Sequence, residues 1–144
     1  MLVSQILKSK ADIAVVTISS GATIAEAAAV LSERRIGALI VSKDGKAAEG
    51  ILSERDIVRE LGARGPAVLG EKVAALMTKK LVSCGRGDQT DAVLQKMTDG
   101  RFRHMPVIEG GALVGLISIG DVVKARLMEL AAEKEALEGM IKGF

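Results

Sequence analysis

A seven-residue motif occurs twice in the chain and predicts that the two halves fold alike. Residues 50–56 read GILSERD and residues 115–121 read GLISIGD, an offset of 65 residues. Each copy consists of Gly, two aliphatic residues, Ser, two variable residues and Asp, and apolar residues follow it. Aliphatic residues after Gly are typical of a buried strand end, and Ser is a favoured helix cap. Each copy therefore predicts a strand that leads directly into a helix.

The Ser and Asp of each copy allow two interpretations. In the first, Ser53 and Ser118 accept hydrogen bonds from backbone N–H groups, and Asp56 and Asp121 complement the helix dipole. In the second, the same groups bind a ligand, because a helix start exposes N–H donors that suit a phosphate and Asp can accept from ribose hydroxyls. Capping alone would explain a single copy. Two copies in equivalent contexts favour a ribose-phosphate site, with capping as the alternative.

Composition limits the class of protein. The 144 residues suffice for one domain or two small ones that pack closely, and 49% of them are apolar, which is ample for a core. The 20 basic and 18 acidic residues leave a net charge of +2, and only Phe102 and Phe144 are aromatic. Near-zero charge and the lack of aromatic stacking surfaces disfavour nucleic-acid binding.

Catalytic, metal and membrane functions are also disfavoured. The single Cys84 excludes an internal disulfide and a cysteine zinc cluster, and the single His104 disfavours a histidine metal site. The sequence offers no nucleophile–base pair and no P-loop, so we expect no enzyme activity. Apolar runs are too short to span a membrane, and the first residues lack a signal-peptide pattern. We therefore expect a soluble, cytoplasmic protein that does not bind membranes.

The segments around the two motifs repeat the order strand, helix, strand, strand, helix. Thr23 and Glu26 predict a capping box for a helix that runs to Arg34, and Thr90 is the corresponding cap in the second half. The other predicted segments are a helix over 2–8, a turn over 9–12, strands over 13–18 and 36–41, an Asp44-Gly45 turn, a helix after Ser53 that ends at Gly62, a helix over 71–77, an extended segment over 81–84, and strands over 103–108 and 113–118 joined by a turn.

These elements predict an α+β (α/β-like) fold of two repeats with a C-terminal helix. The expected boundaries are 1–62 for the first repeat, 63–70 for a linker, 71–126 for the second repeat and 127–144 for the helical extension. We expect the repeats to pack face to face as a pseudo-twofold pair, with two equivalent clefts between them. Apolar strips left beside each repeat predict a homodimer.

Further residues match between the halves, and together with the motifs they indicate a family. They are the segment Arg103-His104-Met105-Pro106-Val107 and the Val-Thr and Val-Ser pairs that end at Thr17 and Ser83. With them, residues 1–126 resemble a tandem pair of CBS (cystathionine-β-synthase) domains, often called a Bateman module. Such modules typically bind adenine nucleotides, so the resemblance implies AMP, ATP or NAD as a ligand and no catalytic cofactor.

The resemblance also implies a role for each matched position. The two Asp carboxylates would accept from the ribose hydroxyls, the two Ser would reach phosphate, and Thr17 and Ser83 would contact phosphate or the base edge. Segments 36–38 and 103–106 would line the base pocket, and Arg55, Arg103 and His104 would be the cations for phosphate. The full set of implied nucleotide-binding residues is Thr17, Ile36, Gly37, Ala38, Ile51, Ser53, Arg55, Asp56, Ser83, Arg103, His104, Met105, Pro106, Ile117, Ser118, Gly120 and Asp121.

The two predicted sites differ in charge. Arg103-His104 stands where the first half has Ile36-Gly37, and Arg55 stands where the second half has Gly120, so the sites should bind unequally. We expect a stand-alone regulatory module that senses adenine nucleotides and acts in trans on an unknown protein partner. The alternative is a structural or stress-related dimerisation protein whose clefts stay empty.

Overall fold

The computed structural model describes residues 1–10 and 15–143. The predicted turn residues Ala11 and Asp12, and Ile13 and Ala14 of the predicted first strand, lie outside the described residues. The helices are α1 (Val3–Ser9), α2 (Ile24–Arg34), α3 (Glu54–Arg64), α4 (Val73–Leu76), α5 (Thr90–Gly100) and α6 (Ile119–Ile141), and the strands are β1 (Thr17–Ile18), β2 (Ala38–Val41), β3 (Gly50–Ser53), β4 (His104–Glu109) and β5 (Ala112–Ser118). The predicted α+β class and the C-terminal helix are confirmed.

The described chain forms two compact units, each of which contains one copy of the motif. The first-motif unit comprises residues 15–83 and 108–114, and the second-motif unit comprises residues 1–10, 84–107 and 115–143. The sequence boundaries given above for the two repeats stay a prediction.

The first-motif unit is built on a three-stranded sheet in the order β1-β2-β3. Strand β1 runs parallel to β2, with Thr17 beside Ile40, and β3 runs antiparallel to β2, with Ser53 beside Ala38. Strand β2 is buried along its whole length, which explains its continuous apolar sequence. The helices α2, α3 and α4 cover the core, which contains Ile24, Ala27, Leu31, Leu39, Val41, Leu52, Ile57, Val68, Val73 and Leu76.

The predicted capping box at the start of α2 is confirmed. The N–H of Glu26 donates to Thr23 Oγ1 at 3.1 Å, and the N–H of Thr23 donates to Glu26 Oε2 at 3.2 Å. Both bonds form between residues three apart, so they depend on local sequence alone. The sequence pattern could therefore predict them.

The predicted end of α3 at Gly62 is wrong, because the helix continues to Arg64. Gly65 is the C-cap, with φ of +83°, and Arg64 pairs with Glu60 at 2.9 Å and with Glu71 at 2.8 Å. An exposed Gly inside a helix costs only about 1 kcal/mol relative to Ala, so Gly62 does not by itself end the helix. The next residues, predicted as part of a linker, form a 3-10 helix (Pro66–Gly70) whose Val68 is buried in the core.

The second-motif unit pairs β4 with β5 and packs α5 against α6. The predicted cap Thr90 is wrong: Gln89 is the N-cap, and Thr90 is the first helical residue. Thr90 is 2% exposed and its hydroxyl donates to Glu129 Oε1 at 2.8 Å, so it joins the two helices. The segment over 81–84, predicted to be extended, forms no strand; only Cys84 bridges to Val107.

Helix α6 has a buried start and an exposed apolar remainder. Among its described side chains only Val122 and Ala125 are buried. The exposed apolar residues of the helix are Val123, Leu127, Met128, Leu130, Leu137, Met140 and Ile141. None of the helices within residues 1–10 and 15–143 has the length and apolar character needed to cross a membrane.

Candidate functional site

Each motif forms the same hydrogen-bonded start of a helix. In the first copy the N–H of Asp56 donates to Ser53 Oγ at 3.2 Å, and the N–H of Ser53 donates to Asp56 Oδ2 at 2.9 Å. In the second copy the corresponding distances, between Asp121 and Ser118, are 3.1 and 2.9 Å. The predicted caps are therefore confirmed, and both Asp carboxylates are held at the N-terminus of a helix.

The segments expected to line the base pocket lie beside the motifs. The N–H of Glu54 donates to the carbonyl of Gly37 at 2.9 Å, and the N–H of Ile119 donates to the carbonyl of Arg103 at 2.8 Å. These equivalent bonds join the first residue of α3 or α6 to the neighbouring segment. Each unit thus brings a capped Ser, an Asp and one proposed base-lining segment together, although they are distant in sequence.

The proposed binding residues differ in how far they are accessible. Ala38, Met105, Pro106 and Ile117 are buried, so their side chains support the site from within the core. The half-buried members are Thr17, Ile36, Gly37, Ile51, Ser53, Asp56, Ser83, His104, Ser118 and Asp121, and the exposed members are Arg55, Arg103 and Gly120. Groups that bind ribose and phosphate need this intermediate exposure, because a fully buried carboxylate would meet no ligand. The roles of all these residues stay predictions.

Each Asp carboxylate pairs with a cation that the sequence analysis missed. Arg59 Nη2 donates to Asp56 Oδ1 at 3.0 Å from one turn further along α3. Lys10 Nζ donates to Asp121 Oδ2 at 2.9 Å and to the carbonyl of Leu116 at 2.8 Å. The three-residue spacing of Asp56 and Arg59 could have revealed the first pair. Lys10 and Asp121 are 111 residues apart, so no local pattern could reveal the second.

The surroundings of Asp121 stabilise its ionised form. Burial alone would raise the pKa of this carboxyl, but the N–H of Ser118 and the ammonium group of Lys10 outweigh burial and hold the pKa below its ordinary value. Asp121 is therefore an anion at neutral pH, and it can act only as a hydrogen-bond acceptor. That is the state required to accept two hydroxyl donors.

The glycine that begins each motif is required by close packing. A Cβ atom on Gly50 would lie 2.9 Å from the carbonyl oxygen of Thr78 and 2.9 Å from Met77 Sδ. A Cβ atom on Gly115 would lie 2.6 Å from Leu7 Cδ2. In each unit the strand therefore passes close to a short helix or the residues that end it. A Cβ atom would meet fixed backbone at Gly50, whereas at Gly115 it would displace the flexible end of the Leu7 side chain.

Residues suited to metal binding are not clustered in the described ranges, where no group of three or more His, Cys, Asp or Glu side chains could hold an ion. The described residues instead provide two helix N-termini, each with an Asp carboxylate that accepts hydrogen bonds and a Ser hydroxyl. This arrangement suits recognition of a hydroxyl-rich, anionic small molecule.

A strand and a capped helix, duplicated with a Ser–Asp pair in each copy, define the class of protein. The sequence profile of the CBS domain family matches residues 4–63 and 73–128, so the chain belongs to the CBS domain family, as the resemblance had indicated. It is 34% identical to the mitochondrial CBS domain-containing protein CBSX3 of Arabidopsis thaliana, over 98% of this chain and 72% of that protein. It also spans about a quarter of the length of several other Arabidopsis CBS domain-containing proteins.

Solved structures of the family share the fold. The CBS domain protein ATU1752 from Agrobacterium tumefaciens is 44% identical and matches with a TM-score of 0.83, over 88% of this chain and 99% of that one. The CBS domain protein PAE2072 from Pyrobaculum aerophilum, solved in complex with AMP, is 28% identical with a TM-score of 0.78, over 92% of this chain and 99% of that one.

Proposed function

We propose that this chain is a regulatory module that binds adenine nucleotides at its two Ser–Asp helix starts. The observation that carries the proposal is the duplication of one geometry: a half-buried carboxylate held at a helix N-terminus in each unit. Capping alone would require only the Ser, and many residues other than Asp could then occupy the third helical position. The proposed ligand is AMP, ATP or NAD, of which the complex of PAE2072 with AMP favours the first.

The proposed chemistry assigns one part of the ligand to each group. Asp56 and Asp121 would accept hydrogen bonds from the two ribose hydroxyls, a charge-assisted contact. The N–H groups at the starts of α3 and α6, with Ser53 and Ser118, would face phosphate oxygens. Exposed Arg55 and Arg103 would add positive charge near the phosphates, and half-buried His104 would offer a ring nitrogen for a hydrogen bond.

We further propose that the module acts without catalysis, as a homodimer that reports to a protein partner in trans. The apolar residues along α6, from Leu127 to Ile141, are exposed in the single chain and would be covered by a second copy. Substitution of Leu130 and Leu137 by Asp should therefore yield a monomer in light scattering at micromolar concentration. A wild-type monomer under the same conditions would contradict the dimer. The same helix favours the second candidate function, a dimerisation protein without a ligand.

The cytoplasm stays the prediction from the sequence, although the relative CBSX3 is a mitochondrial protein.

Ligand release followed by mass spectrometry tests the nucleotide proposal. The chain contains no Trp and no Tyr, and its two Phe absorb only weakly near 260 nm, so a strong 260 nm peak in a preparation free of nucleic acid should indicate a bound nucleotide. Ligand-stripped protein should melt at a higher temperature with AMP, because a hundredfold excess over Kd stabilises the folded state by about 2.7 kcal/mol. GMP serves as the control and should raise the melting temperature less. Equal shifts with AMP and GMP would contradict adenine recognition, and no shift with any nucleotide would favour the dimerisation protein.

A further inference from the structure

Lys10 occupies a defined position beside the second motif. Its ammonium group donates to the carbonyl of Leu116 at 2.8 Å and to Asp121 Oδ2 at 2.9 Å, and its side chain is 29% exposed. It follows α1 as the C-cap residue of that helix. Two acceptors distant in sequence hold the ammonium group in place, while part of the side chain stays open to solvent.

The cation beside the first motif is held differently. Arg59 belongs to the same helix as its partner Asp56, and its side chain is 65% exposed. The side chain of Asp56 is only 13% exposed, but a pair whose cation is this exposed, between residues three apart on a helix, is weak and exchanges readily with water. The pair of Lys10 and Asp121 is half-buried on both sides, so water and salt screen it less.

Any ligand that uses Asp121 must therefore lie next to a positive charge. We propose that Lys10 makes the Asp121 site select phosphate-bearing adenine ligands over the uncharged nucleoside. This inference rests on the proposed function, in which Asp121 accepts the ribose hydroxyls.

The selection follows from what each ligand can offer to the ammonium group. An uncharged nucleoside would meet a carboxylate that already accepts from Lys10, and it supplies no anion in return. A nucleotide carries phosphate oxygens, which are strong hydrogen-bond acceptors for an ammonium group. Their negative charge is also attracted to the ammonium group at longer range. An ammonium group has three N–H donors, and Leu116 and Asp121 take two of them within the described chain.

Calorimetric titration of ligand-stripped protein with AMP and with adenosine tests the inference. The protein carries Asp56→Ala, so that the first-motif site is weakened and the second-motif site dominates the titration, and it is compared with and without Lys10→Met, which keeps most of the length of the side chain and removes its charge. We expect Lys10→Met to weaken AMP binding about tenfold and to change adenosine binding less than about threefold, the effect of losing one charge-assisted contact. Lys10→Arg should restore most of the preference for AMP.

The matched control is Arg59→Met, read at the first-motif site in protein that carries Asp121→Ala. It should change the ratio of AMP to adenosine affinity less than about threefold, because the Arg59 side chain is 65% exposed and held only by its own helix. Melting curves of each variant verify folding, and Lys10→Gln replaces Lys10→Met if the latter does not fold.

Three results would overturn the inference, and they are distinguishable from failure of the proposed function. If AMP binds and Lys10→Met leaves the affinity ratio unchanged, or weakens both ligands equally, Lys10 is only structural. If Asp56→Ala abolishes all binding, the second site takes no nucleotide and the inference fails while the proposed function stands for the first site. If wild-type protein binds no adenine nucleotide, both fail.

Discussion

The two copies of the motif share their caps and differ in their cations. The bonds between Ser53 and Asp56 agree with those between Ser118 and Asp121 to within 0.1 Å. The first carboxylate then pairs with Arg59 on its own helix, whereas the second pairs with Lys10 from a segment 111 residues away. The duplicated sequence thus reproduces the same local hydrogen bonds. The cation beside each Asp carboxylate depends on which segment packs next to it. Equal caps need not mean equal ligand sites.

Removal of the carboxylates should have the largest effect and would test whether the copies are both binding sites. Asp121→Ala should cost about 1.5–3 kcal/mol in binding at the second site, and Asp56→Ala the same range at the first, because hydrogen bonds to a charged group are lost. We expect unequal losses, since the cations differ. Calorimetric titration with AMP measures each loss. Asp91→Ala, in the first turn of α5, is the control and should bind like wild type.

If both single variants and the double variant bind every adenine nucleotide like wild-type protein, the Ser and Asp residues are only helix caps. The assignment of the ligand then fails for both copies.

The first glycine of each motif should distinguish the copies in stability. Gly50→Ala should lower the free energy of unfolding by about 1–3 kcal/mol, because its Cβ would meet the backbone oxygen of Thr78, which cannot rotate away. Gly115→Ala should cost less, because Leu7 Cδ2 ends a flexible side chain. Urea unfolding measures both. Gly62→Ala is the control: it faces open space within α3 and should stabilise by about 0.5–1 kcal/mol.

A greater cost for Gly115→Ala than for Gly50→Ala would contradict this account of the packing.

The caps should respond equally, in contrast to the glycines. Ser53→Ala and Ser118→Ala should each lower the free energy of unfolding by about 1 kcal/mol, because each leaves one backbone N–H without its acceptor. Urea unfolding of both variants measures the costs, and exposed Ser32→Ala in α2 is the reference. If the two costs differ by more than the effect of Ser32→Ala on the free energy of unfolding, at least one of the two Ser residues stabilises the fold through more than its local capping bond.

Protonation of Asp121 should have the smallest effect. Its folded-state pKa is below that of the unfolded chain, so its contribution is present above the unfolded value and is lost as the pH falls through the folded one. Asp121→Asn should therefore be less stable than wild type at neutral pH by about 1 kcal/mol or less, and the difference should shrink below about pH 4. Urea unfolding from pH 7 to pH 3 measures it. A difference that stays constant across this range would show that ionisation of Asp121 does not stabilise the fold.

Most of the fold could be predicted because its signals are local. The capping box of Thr23 and Glu26, the caps at Ser53 and Ser118, and the alternation of apolar segments all depend on residues a few positions apart. The errors arose where tertiary contacts outweigh local preference. Thr90 has the chemistry of a cap, but Glu129 takes its hydroxyl, and α3 passes Gly62 to end at Arg64, after which Val68 packs into the core.

Within the candidate site, the sequence by itself determined the two capped helix starts, since the bonds of Ser53 with Asp56 and of Ser118 with Asp121 close over three residues. Only the tertiary structure decided which cation each carboxylate meets and why each motif begins with Gly. A lysine at the end of α1 reaches Asp121 because the chain folds α1 beside β5, and the same approach of Leu7 crowds Gly115. Hydrogen bonds between neighbours in sequence form wherever the residues occur, whereas a contact across 111 residues exists only once the whole core has packed.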